Sequence, residues 1–341
     1  MKILLISGIE SAIQGWGNMT TTKKIVNALH KIGHQCHILY AKSNEEIIEH
    51  ASTNRYDLAW SSVYYFSANS KRICNFARIK SVTEVLENLG IPYVGSSSES
   101  NRIMIDKYRT IQKLRQNGIK THKQYLIHSM NEFENTVFKD SFDLYFVKPN
   151  FESESNGITE ESVVDSYTKI KERAYHLLTH GFSPVLVEEY LPGDEYTVSV
   201  IGNNSNAKIY PIQNYVRKGA YKSYPVIANN LNKKEDISFI IPDERRMELE
   251  EITIKAISIL GCRDHVRLDI GTSKEGELRV IEVNGIPGLN PKKGRSYIIY
   301  SIYNRSSIKF QHIYDLLIND IIEAASERIF SDANSRQTNS I

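Results

Sequence analysis

Cysteine is scarce in this chain, with three in 341 residues at Cys36, Cys74 and Cys262. They are odd in number, far apart and without CxxC spacing. That pattern supplies neither a disulfide framework nor a zinc site, and the three read as buried thiols. Long apolar runs are also missing. None approaches the roughly 18 residues a membrane-spanning helix needs. The opening MKILLISG is too short for a signal-peptide core and suits a buried strand, so the expected compartment is the cytoplasm and no membrane partner is implied. Nor does charge of one sign prevail. The net charge is +2, with acids and bases mixed rather than gathered into arms, so nucleic acid is not indicated. His30, His34 and His37 lie close together, but Gly33 makes them the end of one helix and the start of a strand rather than a metal set.

What remains is an ordinary globular composition, 41% apolar and 24% charged, in a chain long enough for two or three packed domains. Residues 2–7 (KILLIS), 36–40 (CHILY) and 57–60 (DLAW) read as strands, and residues 20–32 and 79–89 as helices between and after them. Strands alternating with helices imply a parallel sheet, so residues 1–96 form a Rossmann-like three-layer unit. Residues 8–17 (GIESAIQGWG) do not match GxGxxG, and no dinucleotide is expected there. Past a polar boundary at 96–100, residues 101–116 read as one helix. Residues 144–148 (LYFVK) read as a strand, 185–201 as two strands about a Pro-Gly turn, and 213–235 as a long loop of the kind that closes active sites. Helices are expected over 243–260 and 308–325, with a polar, disordered tail at 331–341.

The most informative stretch is 266–290, VRLDIGTSKEGELRVIEVNGIPGLN. Its alternation predicts a β-hairpin with Arg267 and Asp269 on one face of the first arm. In the second arm Glu282 and Asn284 share a face, with Ile281 and Val283 opposite. Reversal at Glu275-Gly276 sets Asp269 across from Glu282 and Arg267 across from Asn284. Two carboxylates and an amide oxygen that close repel unless a hard cation sits between them, and Mg²⁺ takes such ligands while keeping places for water and phosphate. Arg267 adds a fixed positive charge for a phosphate or an oxyanion. Cross-strand Arg–acid pairs also occur on solvated sheet faces, and the hairpin alone leaves that reading open.

Residues 267–290 resemble the metal-binding segment of the ATP-grasp ligases, most closely that of the D-alanine–D-alanine ligases. The resemblance implies an α/β chain with a Rossmann-like N-terminal domain (1–96) followed by a two-subdomain ATP-grasp fold (97–182 and 183–330). It implies ATP and Mg²⁺, two ions, with Mn²⁺ able to substitute. Asp269, Glu282 and Asn284 would hold the ions, and Arg267 with the Gly288 amide would steady the oxyanion. Lys107, Lys148 and Ser155 would contact phosphates. Glu188 would take the adenine amine, the backbone of Tyr190 and Leu191 the base edge, and Glu195 the ribose. A further phosphate lysine falls on Lys218 or Lys222. Without the resemblance, Lys107 is a solvated helix lysine, and Tyr190 and Leu191 are simple core.

The likeness spans roughly 95–292 and weakens elsewhere. Ser153 and Glu154 stand where relatives carry Gly and Ser, and a carboxylate at 154 would repel the γ-phosphate. Lys293 replaces a serine, and Lys293 or Arg295 would clamp a substrate carboxylate or else belong to a basic surface loop. Glu10 is the nearest candidate for the first amino acid. The expected activity is ATP-dependent amide formation through an acyl phosphate, an acid–amino-acid ligase joining small amino acids or peptides, with a homodimer left open. The alternatives are a ligase for a peptide or natural-product precursor, and a nucleotide-binding sensor of weak activity.

Overall fold

The structure is a computed structural model and describes residues 1–8, 19–66, 79–152, 155–210, 212–215, 237–238, 241–290 and 310–338. Among these the strands form three sheets. In the first, β1 (Lys2–Gly8), β2 (Gln35–Ala41) and β3 (Leu58–Ser61) run parallel in the order β2-β1-β3. Ile3, Leu4, Leu5 and Ile6 are all fully buried. A central parallel strand is covered on both faces, which is why it reads as an unbroken apolar run and not as alternation. Each such side chain contributes about 1.5–3 kcal/mol of burial. Helix α1 (Met19–Lys31) covers the face of Ile3 and Leu5. Helices α2 (Asn44–Thr53) and α3 (Val82–Asn88) cover that of Leu4 and Ile6. Ser43 and Ser81 start these two helices by accepting the Glu46 and Glu84 amides. The result is the expected three-layer unit.

Two helices follow where one was expected, α4 (Ser98–Ile105) and α5 (Lys107–Gln116). The break falls at Asp106, which leaves helical geometry and caps α5 by accepting the Arg109 amide at 3.0 Å. A side-chain cap outcompetes continuation of the ladder there.

The second sheet is antiparallel, with β4 (Gln124–Ile127), β5 (Tyr145–Pro149), β6 (Val163–Val164) and β7 (Val185–Glu189) in the order β4-β7-β5-β6. Helices α6 (Met130–Asn135) and α7 (Tyr167–Thr179) bury one face through Phe133, Ile170, Ala174 and Leu177 against Val147, Val185 and Val187. Alternation therefore sends Phe146, Lys148 and Glu188 to the other face.

The third sheet contains β8 (Glu195–Ile201), β9 (Lys208–Ile209), β10 (Gln213–Tyr215), β11 (Ile237–Ser238), β12 (His265–Thr272) and β13 (Leu278–Asn284). Its path runs β11-β10-β8-β12-β13, with β9 also on β8. Helix α8 (Asp243–Leu260) packs Leu249, Ala256 and Leu260 onto it together with Ile111 and Leu114 of α5. The last helix, α9 (Phe310–Thr338), returns to the first sheet, where Tyr314, Leu317, Ile318 and Ile321 join Ile3, Leu5 and Leu29.

Helix α9 corrects the expected disordered tail, since it continues through residues 331–338. Arg328 faces Asp332 at 3.9 Å one turn on, and Ser335 Oγ donates to Ser331 O at 3.1 Å. Such i, i+4 contacts extend a polar helix beyond its packed part. Among the described residues no helix is long and apolar enough to cross a membrane.

Candidate active site

Strands β12 and β13 pair as their alternation predicts, Arg267 with Asn284 and Asp269 with Glu282, and Gly276 takes φ +82° in the turn. One detail differs. A bulge follows Asp269, so that Ile270 pairs with Val280 and Ile281 is the extra residue. Val280 and Val283 therefore both enter the core. Ile281, expected on the face of Val283, instead lines a pocket beside Glu282.

The hairpin concentrates charge. Arg267 Nη2 donates to Asp269 Oδ2 at 2.7 Å and to Glu282 Oε1 at 3.4 Å. Thr197 of β8 donates to Asp269 Oδ1 at 2.8 Å, and Asn284 Nδ2 to Glu282 Oε1 at 3.1 Å. Burial pushes the Asp269 carboxyl above its ordinary range; Arg267 offsets part of this, and the charges of Glu282 and Glu195 add to it. Burial acts the same way on Glu282, but Lys107, Arg267 and Lys148 outweigh it and hold that carboxyl low. Among the described residues no three His, Cys, Asp or Glu gather as a metal cluster. The candidate set is instead two carboxylates and one amide. These are the hard oxygen donors Mg²⁺ prefers, and a cation would relieve the raised Asp269.

The pocket extends from Glu282 between the second and third sheets, with about 660 Å³ of space opening to solvent. At its far end Lys148 Nζ stands 2.6 Å from Glu188 Oε1, both side chains buried. His122 and Gln124 reach Glu188 Oε2 at 3.0 and 2.9 Å. Burial alone would raise the Glu188 carboxyl, yet Lys148 and His122 together hold it down at about 2. Between the two ends, Asp106 does a second job by accepting Asn150 Nδ2 at 2.9 Å, which ties the start of α5 to the end of β5. Lys107 is thereby buried and donates to Glu152 O at 2.5 Å, with Glu282 Oε2 at 3.8 Å. Desolvation lowers its pKa.

The loop after β5 is shaped by backbone requirements. Ser155 and Gly157 have φ of 60° and 77°. A Cβ on Gly157 would stand 2.6 Å from Pro149 Cγ, so only glycine lets the loop fold back on the strand. Arg173 of α7 holds the Gly157 carbonyl at 2.6 Å. On the other flank, the Tyr64 hydroxyl accepts the Ile286 amide at 2.7 Å, fixing the loop that leads to the half-buried Gly288.

Lys107, Lys148, Ser155, Glu188, Tyr190, Leu191, Glu195 and Glu282 all line this one pocket. Arg267, Asp269 and Asn284 join it through Glu282. The Tyr190 amide donates to Leu144 O, so of its backbone groups the carbonyl is the one a base could meet. Glu10, Ser153, Glu154, Lys218, Lys222, Lys293 and Arg295 lie outside the described residues. Sequence reading missed His122, Gln124, Phe146, Glu152, Ile158 and Ile281. Phe146 was recoverable, being two residues from Lys148 on the same strand face. His122 and Gln124 flank and begin a four-residue strand with no periodic signal.

Comparison with known proteins adds matches of three kinds. The family model described as D-ala D-ala ligase C-terminus matches residues 110–321. The D-alanine–D-alanine ligase of Actinobacillus succinogenes is 30% identical over 243 residues, 70% of this chain and 74% of that protein. That of Actinobacillus pleuropneumoniae serotype 5b is 26% identical over 247 residues, covering 71% and 74%. Among solved structures, the Bacillus anthracis D-alanine–D-alanine ligase complexed with ATP superposes with a TM-score of 0.69 at 22% identity, covering 96% of this chain and 99% of that one. The VanG D-Ala:D-Ser ligase of Enterococcus faecalis gives 0.65 at 18%, covering 94% and 99%.

Proposed function

This chain belongs to the D-alanine–D-alanine ligase family, and from that premise we propose how its pocket carries out the family's reaction. The chain is an ATP-dependent ligase that joins amino acids, with ATP and Mg²⁺ as the family's requirements. In our reading ATP lies between the second and third sheets. Its adenine sits at Glu188, Tyr190 and Leu191, its ribose at Glu195, and its phosphates pass Lys148, Lys107 and Ser155. Asp269, Glu282 and Asn284 would hold two Mg²⁺ ions, or Mn²⁺ in their place. The bound ions supply charge neutralisation at the phosphates.

The chain's own groups do the rest. Lys107, beside Glu282, holds the γ-phosphate in line with an incoming carboxylate, which displaces ADP and becomes an acyl phosphate, while Lys148 meets a phosphate nearer the base. The amine of a second amino acid attacks the acyl carbon and phosphate leaves. Arg267 and the Gly288 amide donate to the oxyanion of that step, with Tyr64 keeping the loop in position. The observation that carries this reading is the convergence of eight of these residues on one pocket, with a buried ion pair at one end and two facing carboxylates at the other.

The test is ADP formation from Mg-ATP with D- and L-amino acids, singly and in pairs, D-alanine first, with the amide product read by mass. Acceptor-dependent ADP with an equal yield of dipeptide supports it. Tight ADP binding without dipeptide from any pair contradicts it.

A further inference from the structure

We propose that His122 and Gln124 are specificity-determining residues that fix the Glu188 carboxylate in the one setting that accepts an adenine amine and rejects a 6-oxo purine. The inference rests on reading this pocket as the nucleotide site. It adds two residues that touch neither the phosphates nor the reacting atoms.

A carboxylate offers about four acceptor positions, two on each oxygen. Glu188 Oε2 receives both His122 Nε2 at 3.0 Å and Gln124 Nε2 at 2.9 Å, which fills it. Oε1 receives Lys148 Nζ at 2.6 Å and, among the described residues, keeps one position. Glu188 is 4% exposed, so that position opens toward the pocket rather than the outer surface. An ionised carboxylate can only accept, so His122 Nε2 carries a proton, and Gln124 Nε2, 3.0 Å from that nitrogen, lies beside it as the second donor. The opposite ring nitrogen, Nδ1, and Gln124 Oε1 are buried and without a partner among the described residues. Apart from the Lys148 ammonium, the group this corner presents to a base is the Glu188 carboxylate, which is an acceptor. An exocyclic amine satisfies it, whereas a 6-oxo group would set lone pair against lone pair in a desolvated site.

The two residues also prevent a competing arrangement. Lys148 is the charged partner of Glu188. With no donors on Oε2, a buried ammonium would draw both oxygens to itself and use up the remaining position. Gln124 pairs directly across from Glu188 in the β4–β7 ladder, and His122 lies just before β4 and lines the pocket. Backbone register thus delivers both donors to the same oxygen.

The experiment is calorimetric binding of ADP and IDP to the full chain, as wild type and as the Gln124→Met, His122→Phe and His122→Gln variants, each first melted to establish folding. Wild type is expected to prefer ADP by about 100-fold or more. Gln124→Met and His122→Phe should each lower that preference at least about tenfold, mainly through weaker ADP binding, and His122→Gln should restore part of it by returning an N–H donor. Gln124→Met conserves volume and carries the test if His122→Phe does not fold. A preference unchanged within about twofold in folded variants overturns the role of His122 and Gln124 while leaving the nucleotide pocket intact. Equal wild-type affinity for ADP and IDP overturns it by removing amine reading at Glu188. Failure of wild type to bind either nucleotide would instead sink the pocket reading itself.

Discussion

Two aspartates five residues apart, Asp264 just before β12 and Asp269 within it, meet arginines in opposite ways. Asp264 is fully buried and takes four bonds: Arg328 Nε at 2.8 Å and Asn203 Nδ2 at 3.0 Å on Oδ1, and Arg328 Nη2 and the Gly95 amide, both at 2.7 Å, on Oδ2. Every acceptor position is filled. The donors come from α9, the turn after β8 and the end of the first unit, so the residue locks three parts of the chain together. Among the described residues Asp269 takes Thr197 and one Arg267 nitrogen and faces a second carboxylate, Glu282. Both pairs are buried ion pairs, yet only one is satisfied. Saturation marks an acid that holds structure, and surplus acceptor capacity beside a like charge marks one that waits for a ligand.

Substitutions can break or sharpen that contrast. The largest effect is expected from Glu282→Gln or Asp269→Asn, which should cost turnover several kcal/mol, on the order of 10³-fold, while in Asp269→Asn the melting temperature holds or rises because burial and the like charge of Glu282 disfavour that carboxylate. A melting temperature that drops as far as in an Asp264 variant would erase the distinction. Arg267→Ala should lower kcat by about 10²–10³-fold and leave ADP affinity within about threefold; titration of ADP alongside steady-state rates checks both. Asp264→Asn leaves the Arg328 charge buried without its bidentate partner, and urea unfolding should show a loss of about 3–5 kcal/mol with kcat of the folded enzyme nearly unchanged.

A smaller effect belongs to His265, which lies between the two aspartates. Burial, with help from Arg267, depresses its pKa to about 3. A histidine held neutral in the fold but free to protonate when unfolded contributes no penalty above about pH 6.5. As pH falls below that value the unfolded state binds the proton and stability is lost, about 2 kcal/mol by pH 5. His265→Gln should flatten the stability profile between pH 7 and pH 5 by that amount. Smallest of all, Tyr64→Phe orphans the Ile286 amide and should lower kcat about tenfold without moving ADP affinity.

The legibility of these regions in the sequence also differed. Period-two alternation gave the hairpin register, because one face of each arm is core and a one-residue slip would bury Arg267. The bulge that turns Ile281 into the pocket left no mark, since an inserted residue keeps the apolar composition of the strand. The unbroken KILLIS run announced a buried strand, and its central place in the sheet came from the fold. Helix α2 and strand β4 went unread because each is short and depends on tertiary cover. The split at Asp106 was hidden within one amphipathic pattern, although an aspartate before a lysine is an ordinary cap. His122, Gln124 and the Asp264–Arg328 lock are contacts between distant segments, and local periodicity does not encode those.

The account's central claim is that the under-saturated hairpin acids and Arg267 serve carboxylate activation by ATP. Its most direct test is turnover with an amino acid carrying ¹⁸O in its carboxylate, with the released phosphate read by mass. Transfer of one ¹⁸O per turnover into phosphate is predicted, because the acyl phosphate breaks at the bond from carbon to the bridging oxygen. Dipeptide formed with no label in phosphate would contradict it.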